Sequence, residues 1–85
     1  PNPFKDIVNI NFEIPEYIDY NEINIKILNI SGATVSMPLI TNCSNNKINI
    51  KWDGTDNNGE SLPSGMYFVV ISANNFIKTC KILKR

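Results

Sequence analysis

Histidine is missing altogether from this 85-residue chain, and there are only two cysteines. The first absence removes Ser-His-Asp and Cys-His catalysis and the commonest zinc ligand. The cysteines, Cys43 and Cys80, are too few for a zinc site and do not make a CxxC pair. Either they form one disulfide in an exported protein or they are two ordinary buried thiols, and both readings stay open. Charge of one sign is lacking too. Eight basic and eight acidic residues cancel, so no nucleic-acid footprint or polybasic membrane contact is indicated. The longest apolar run, Met66 to Ile71, is far too short to span a bilayer, so no membrane insertion is expected. The chain opens Pro1-Asn2-Pro3 without an initiator methionine or a signal-type apolar stretch. The expectation is a piece of a longer protein whose targeting signal lies upstream.

What is abundant is asparagine and isoleucine, fourteen of each. The bland account of that pair is an A/T-rich genome. The isoleucines fall in alternation, which carries more information. Val8, Ile10, Phe12 and Ile14 point one way, with Asn9, Asn11 and Glu13 the other, a half-buried strand stopped by Pro15. Ile23, Ile25 and Ile27 repeat the pattern, and the phase slips at Leu28, as at a bulge. Ser31-Gly32 predicts a turn into a short return strand over Ala33 to Met37, and Pro38 marks an edge or an exit. Thr41 to Asn46 is expected to be polar loop. Ile48, Ile50 and Trp52 form another inward row. Met66 to Ser72 is expected to be a central strand covered on both faces, and Asn74-Asn75 turns it into a last strand over about Phe76 to Lys84.

No segment has an apolar 3.6 period of helical length. Short strands with turn signals every eight to twelve residues predict one all-β domain, an antiparallel immunoglobulin-like β-sandwich of about seven short strands. A small closed barrel is the alternative.

Chemistry, if present, should lie in WDGTDNNGESLPSG, from Trp52 to Gly65. Asp53, Thr55, Asp56, Asn57 and Asn58 bear oxygens, as calcium requires. Counted from Asp53 against an EF-hand, however, position 6 is Asn58 rather than glycine and position 12 is Ser64 rather than a carboxylate. Asp53 and Asp56 could form a glycosidase-like carboxylate pair, but nothing else in the chain supplies a substrate cleft. A structural reading explains more of these residues. Asp53-Gly54 and Asn58-Gly59 are tight-turn dipeptides, and Pro63 sets a second bend before Ser64-Gly65. Trp52 can fill the core with its indole N–H on a loop carbonyl, while Asp53 or Asp56 accepts loop N–H groups. No catalytic, cofactor-binding or metal-ligating residue is therefore assigned. Trp52, Asp53, Gly54, Asp56 and Gly59 are read as a structural loop.

Other motifs receive equally plain explanations. Asn29-Ile30-Ser31 and Asn42-Cys43-Ser44 fit the N-glycosylation pattern, which fourteen asparagines supply by chance. Lys78, Lys81, Lys84 and Arg85 suit the solvated face of an edge strand, where lysine discourages sheet-to-sheet pairing. Tyr17 and Tyr20, expected to be exposed, either stack on sugar rings or cap one end of the sandwich.

In order along the chain stand Pro1-Asn2-Pro3-Phe4, an Ile-x-Phe-x-Ile-Pro strand and INIKILNISG from Ile23 to Gly32. Trp52-Asp53-Gly54, Asp56, Gly59, Pro63-Ser64-Gly65 and Tyr67-Phe68 follow, before a lysine-bearing last strand. Together these resemble the type A C-terminal sorting domain of the type IX secretion system, where it overlaps the immunoglobulin-like domain of the flagellar hook-cap protein. The resemblance covers nearly all 85 residues. It implies a non-catalytic domain at the end of a larger exported protein, read by the secretion machinery of the outer membrane. A surface sortase could then remove it and attach the cargo to lipopolysaccharide. The parent would be secreted or held on the cell surface by way of the periplasm. Recognition, by the same resemblance, falls to Pro63, Ser64, Gly65, Met66 and Tyr67 and to the terminal Lys81, Lys84 and Arg85. The strong WDG motif keeps a second reading open, a hook-cap-like spacer or assembly module of a surface protein.

Overall fold

The computed structural model describes residues 6–85, so the Pro1-Asn2-Pro3-Phe4 motif lies outside the described residues. Seven strands follow in order: β1 (Val8–Glu13), β2 (Asn24–Leu28), β3 (Thr34–Ser36), β4 (Ile40–Ser44), β5 (Lys47–Trp52), β6 (Gly65–Ala73) and β7 (Phe76–Lys84). A single 3-10 turn, Tyr20–Glu22, interrupts the β1–β2 connection. The strands form a three-stranded sheet of order β1-β5-β4 and a four-stranded sheet of order β3-β2-β6-β7, with every pairing antiparallel. This is the expected sandwich. Among the described residues no ladder joins the two sheets, so the alternative closed barrel does not form. The orders β1-β5-β4 and β3-β2-β6-β7 are those of strands B-E-D and C′-C-F-G of an immunoglobulin-like sandwich.

Alternation built these layers as expected. β1 buries Val8, Ile10 and Phe12, with Ile14 just beyond it, and β5 buries Ile48, Ile50 and Trp52. From the other sheet come Ile25, Ile27, Tyr67, Val69, Ile71 and Ile82. β-branched side chains suit this role because a pleated, half-buried surface holds them near one preferred rotamer. The phase slip at Leu28 is a register shift, in which Ile27 pairs Ser36 and Leu28 pairs Thr34, leaving Val35 as the extra residue on β3. Pro38 stands at the exit, where the chain leaves the edge strand β3 for the other sheet.

Three expectations need correction. Residues 41–46 are not a loop: β4 pairs with β5, and the hairpin turns at Asn45 and Asn46 with φ of +52° and +65°. That pair of positive φ values is the backbone of a type I′ turn, which asparagine tolerates. Apart from half-buried Ile40, β4 is exposed throughout, so it had no apolar period to betray it. Central β6 is not covered on both faces. Tyr67, Val69 and Ile71 are buried inside, while Met66, Phe68 and Val70 on the outer face are only half-buried. Tyr20, unlike exposed Tyr17, is half-buried and accepts a hydrogen bond from Asn46 N–H at 2.9 Å, capping that end of the sandwich. The cysteines are both free and in different sheets, and neither is the buried thiol of the sequence reading: Cys43 on polar β4 is exposed and Cys80 on β7 is half-buried.

Candidate functional site

The segment from Trp52 to Gly65 leaves the three-stranded sheet and enters the four-stranded one, and it folds as a miniature hairpin. Thr55 bridges Ser61, Asp56 N–H donates to Glu60 O at 2.9 Å, and Leu62 N–H donates to Gly54 O at 2.9 Å. Each aspartate sustains a turn. Asp53 Oδ1 accepts from Thr55 N–H at 3.1 Å and Thr55 Oγ1 at 2.5 Å. Asp56 Oδ1 accepts from Asn58 N–H at 2.8 Å and Glu60 N–H at 3.0 Å. These are Asx turns, in which a short carboxylate replaces a backbone acceptor. Asn57 Oδ1 ties the hairpin to the β3 exit by accepting Met37 N–H at 3.0 Å.

Below the hairpin lies its anchor. Trp52 is buried, and its indole N–H donates to Thr55 O at 2.9 Å. Its ring meets Tyr67 edge-on, with centroids 5.2 Å apart and planes inclined at 69°. That T-shaped arrangement sets the positive edge of one ring against the negative face of the other. Tyr67 O–H donates to Pro63 O at 2.6 Å, holding the bend that launches β6. Burial pushes the Tyr67 phenol above its usual pKa, because desolvation penalises the phenolate.

The hydrogen bond from the Thr55 hydroxyl holds the Asp53 carboxyl below its usual pKa of 3.8, against an opposing burial effect that comes next in size and with lesser help from backbone donors. A carboxylate with a depressed folded-state pKa adds stability that is present above the unfolded pKa. That stability is lost as pH falls through the folded value. Denaturant melts should therefore show the parent losing more stability than Asp53→Asn on acidification from about pH 5. The two carrying the same acid slope would exclude Asp53 from that role. Because Asp53 is exposed, solvent screening keeps the difference small.

The residues to which the sequence resemblance assigns recognition are brought together by the β6–β7 ladder, in which Gly65 pairs Lys84, Met66 pairs Leu83 and Phe68 pairs Lys81. Their exposure is unequal. Pro63, Ser64, Lys81 and Arg85 are exposed, Gly65 and Met66 are half-buried, and Tyr67 is in the core. Lys84, expected on a solvated face, is only 8% exposed. Its stem lies over Gly54, and its Nζ donates to Ser61 Oγ at 3.2 Å and to Leu62 O. Instead of a surface tag, this lysine is a latch between the last strand and the WDG hairpin. A signal for it existed: Lys84 shares the parity of buried Ile82 along β7. The partners Ser61 and Leu62 had no such signal.

Among the described residues no three His, Cys, Asp or Glu side chains converge as a metal site would require. Comparison with known proteins gives one match. The family model for the secretion system C-terminal sorting domain covers residues 1–85. Neither the curated proteins nor the solved structures returned a match. Sorting domains of this family are non-catalytic signals for type IX secretion. With the model matched from end to end, this chain belongs to the family of secretion system C-terminal sorting domains.

Proposed function

We propose that this domain directs an attached cargo protein across the outer membrane to the cell surface and itself carries out no catalysis. The observation that carries this reading is the family match over all 85 residues. Recognition by the secretion machinery falls on the accessible residues among those the sequence resemblance assigns to it, Pro63, Ser64, Lys81 and Arg85, which one end of the β6–β7 ladder gathers. Tyr67 and Lys84 keep that end in shape. Removal by a surface sortase would follow export.

Deleting residues 81–85 is a poor test, because it removes buried Ile82 and the Lys84 latch together with the charges. Charge reversal at exposed positions separates recognition from folding. Residues 1–85 would be fused behind a fluorescent reporter with a periplasmic signal peptide, in a bacterium with a type IX system. Surface reporter is expected from the parent, with roughly a tenfold fall for Lys81→Glu/Arg85→Glu, since like charges across an interface repel. Undiminished export by a variant that melts like the parent would remove these two residues from recognition. Retention of the parent reporter in the periplasm, beside a working native sorting domain, would favour a structural spacer.

A further inference from the structure

An asparagine followed by glycine is chemically unstable wherever its side chain can reach the next backbone nitrogen, because glycine puts no Cβ in the way. Fourteen asparagines occur in this chain, and only Asn58 is followed by glycine. It stands at the tip of the WDG hairpin, where Asn57, Asn58, Gly59 and Glu60 are all exposed. Asn58 N–H donates to Asp56 Oδ1, but its carboxamide has no partner among the described residues. The space around Gly59 is open as well: a Cβ built there, at a φ of +82°, would meet no atom within 4 Å.

The hairpin's other such pair, Asp53-Gly54, is closed to the same chemistry. Lys84 lies against Gly54, and both Thr55 N–H and Thr55 Oγ1 hold Asp53 Oδ1. An ionised carboxylate is also a poor target for a nitrogen nucleophile, and the Thr55 hydroxyl favours the ionised form of Asp53. Elsewhere the asparagines precede larger residues, and several have bonded side chains. Asn49 Nδ2 donates to Asn11 Oδ1, while Asn29 and Asn57 accept backbone N–H groups. One restraint does act at the hairpin tip. Gly59 N–H donates to Asp56 O at 3.1 Å, so its nitrogen is released only when the turn opens. That opening is cheap, because residues 57–60 bury no apolar side chain.

We infer that Asn58-Gly59 is a self-modification site, where the chain deamidates without an enzyme to aspartate or isoaspartate and so loosens the latch on its last strand. The Gly59 nitrogen attacks Asn58 Cγ and gives up its proton. The bond from Cγ to the side-chain nitrogen breaks, and that nitrogen leaves with the proton as ammonia. A five-membered succinimide results. Water then adds to one of its two carbonyls and opens the ring, leaving either an ordinary aspartyl link or one that runs through the side chain. Three of the eight acidic residues, Asp53, Asp56 and Glu60, already stand in this hairpin, whereas the strands of the four-stranded sheet contain none. Either product adds a fourth carboxylate to those three, and like charges repel. The isoaspartyl link also inserts one more backbone atom into a turn closed by Asp56 N–H on Glu60 O at 2.9 Å. Both changes weaken the hairpin that supplies Ser61 Oγ and Leu62 O to Lys84 Nζ. The chemistry goes beyond the sorting reading and does not depend on it.

Ageing the purified 85-residue chain in warm, mildly alkaline buffer tests this without export. Peptide mass spectrometry should locate the mass gain of deamidation at position 58. Conversion there should be at least about tenfold faster than at any other asparagine, a barrier difference of about 1.4 kcal/mol. It should quicken as pH rises, because the attacking nitrogen must lose a proton. An isoaspartate methyltransferase with a labelled methyl donor should mark the aged parent but not aged Asn58→Gln, whose longer side chain closes its ring far more slowly. Aged chains, separated by their extra negative charge, should exchange the amides of Asp56, Gly59 and Leu62 faster than fresh ones. Another asparagine converting first, or label persisting in Asn58→Gln, would overturn the site. So would an Asn58 that survives in the folded chain while a urea-unfolded sample converts, since the turn would then be locked. Unchanged exchange at those amides in the aged chain would overturn the loosening of the latch.

Discussion

Trp52→Ala should cost about 3–5 kcal/mol, the range for deleting a large aromatic from a packed core. At about 0.05–0.15 kcal/mol per residue a chain of this size has roughly 4–13 kcal/mol in all, so the variant gives up between about a quarter and the whole of its stability. The effect is large because Trp52 has three roles. It ends β5, fills the space against Tyr67, and holds the hairpin through the hydrogen bond to Thr55 O. Trp52→Phe separates them, since it retains an aromatic ring but leaves the Thr55 carbonyl without its indole donor. About 1–2 kcal/mol should be lost there, from the missing hydrogen bond and the smaller ring. Circular-dichroism melts measure both. An alanine variant within about 1 kcal/mol of the parent would mean that the hairpin is held by its Asx turns instead.

Gly54→Ala should be the next most damaging change, at about 2–4 kcal/mol. Gly54 has a φ of +78°, and an added side chain in that left-handed region costs about 1–2 kcal/mol. The new Cβ would also overlap Lys84 Cε and approach Cδ to 3.0 Å. Lys84 cannot move aside without giving up Ser61 Oγ and Leu62 O, worth about another 1–2 kcal/mol. This second part is testable by itself. In a Lys84→Ala background the glycine substitution should cost only the backbone part, so the double-mutant cycle should show coupling of about 1 kcal/mol or more. Equal costs in both backgrounds would show that the last strand and the hairpin are not latched.

Both predictions concern residues that a reader of the sequence could identify but not join. Trp52 was recognisable as an inward residue at a strand end, and its indole bond to a loop carbonyl was expected. Asp53 and Asp56 were recognisable as acceptors of loop N–H groups. Lys84 was misplaced because lysine at the end of an edge strand is normally solvated. Here a glycine opposite it leaves room for its stem, and a hairpin contributed by distant residues supplies two acceptors. β4 escaped notice for the opposite reason. Its side chains are polar and exposed, so only the backbone ladder to β5 and the two left-handed asparagines define it.

Local pattern therefore determined the strands other than β4 and, β6 and Lys84 aside, the side of each that is buried. Period-two alternation is a property of the strand itself, and glycine, proline and asparagine mark turns through their own backbone preferences. The family motifs likewise run along one chain and were legible there. Tertiary structure decided which strands became neighbours and, through that, where charge gathered. A neutral composition acquired a carboxylate-free sheet because β2, β6 and β7 pair with one another, and no one-dimensional pattern states that choice. It also decided which terminal cations face water and which lies buried over Gly54. Burial depends on what the opposing sheet and its loops place against a side chain, and those neighbours meet only after the sandwich has closed.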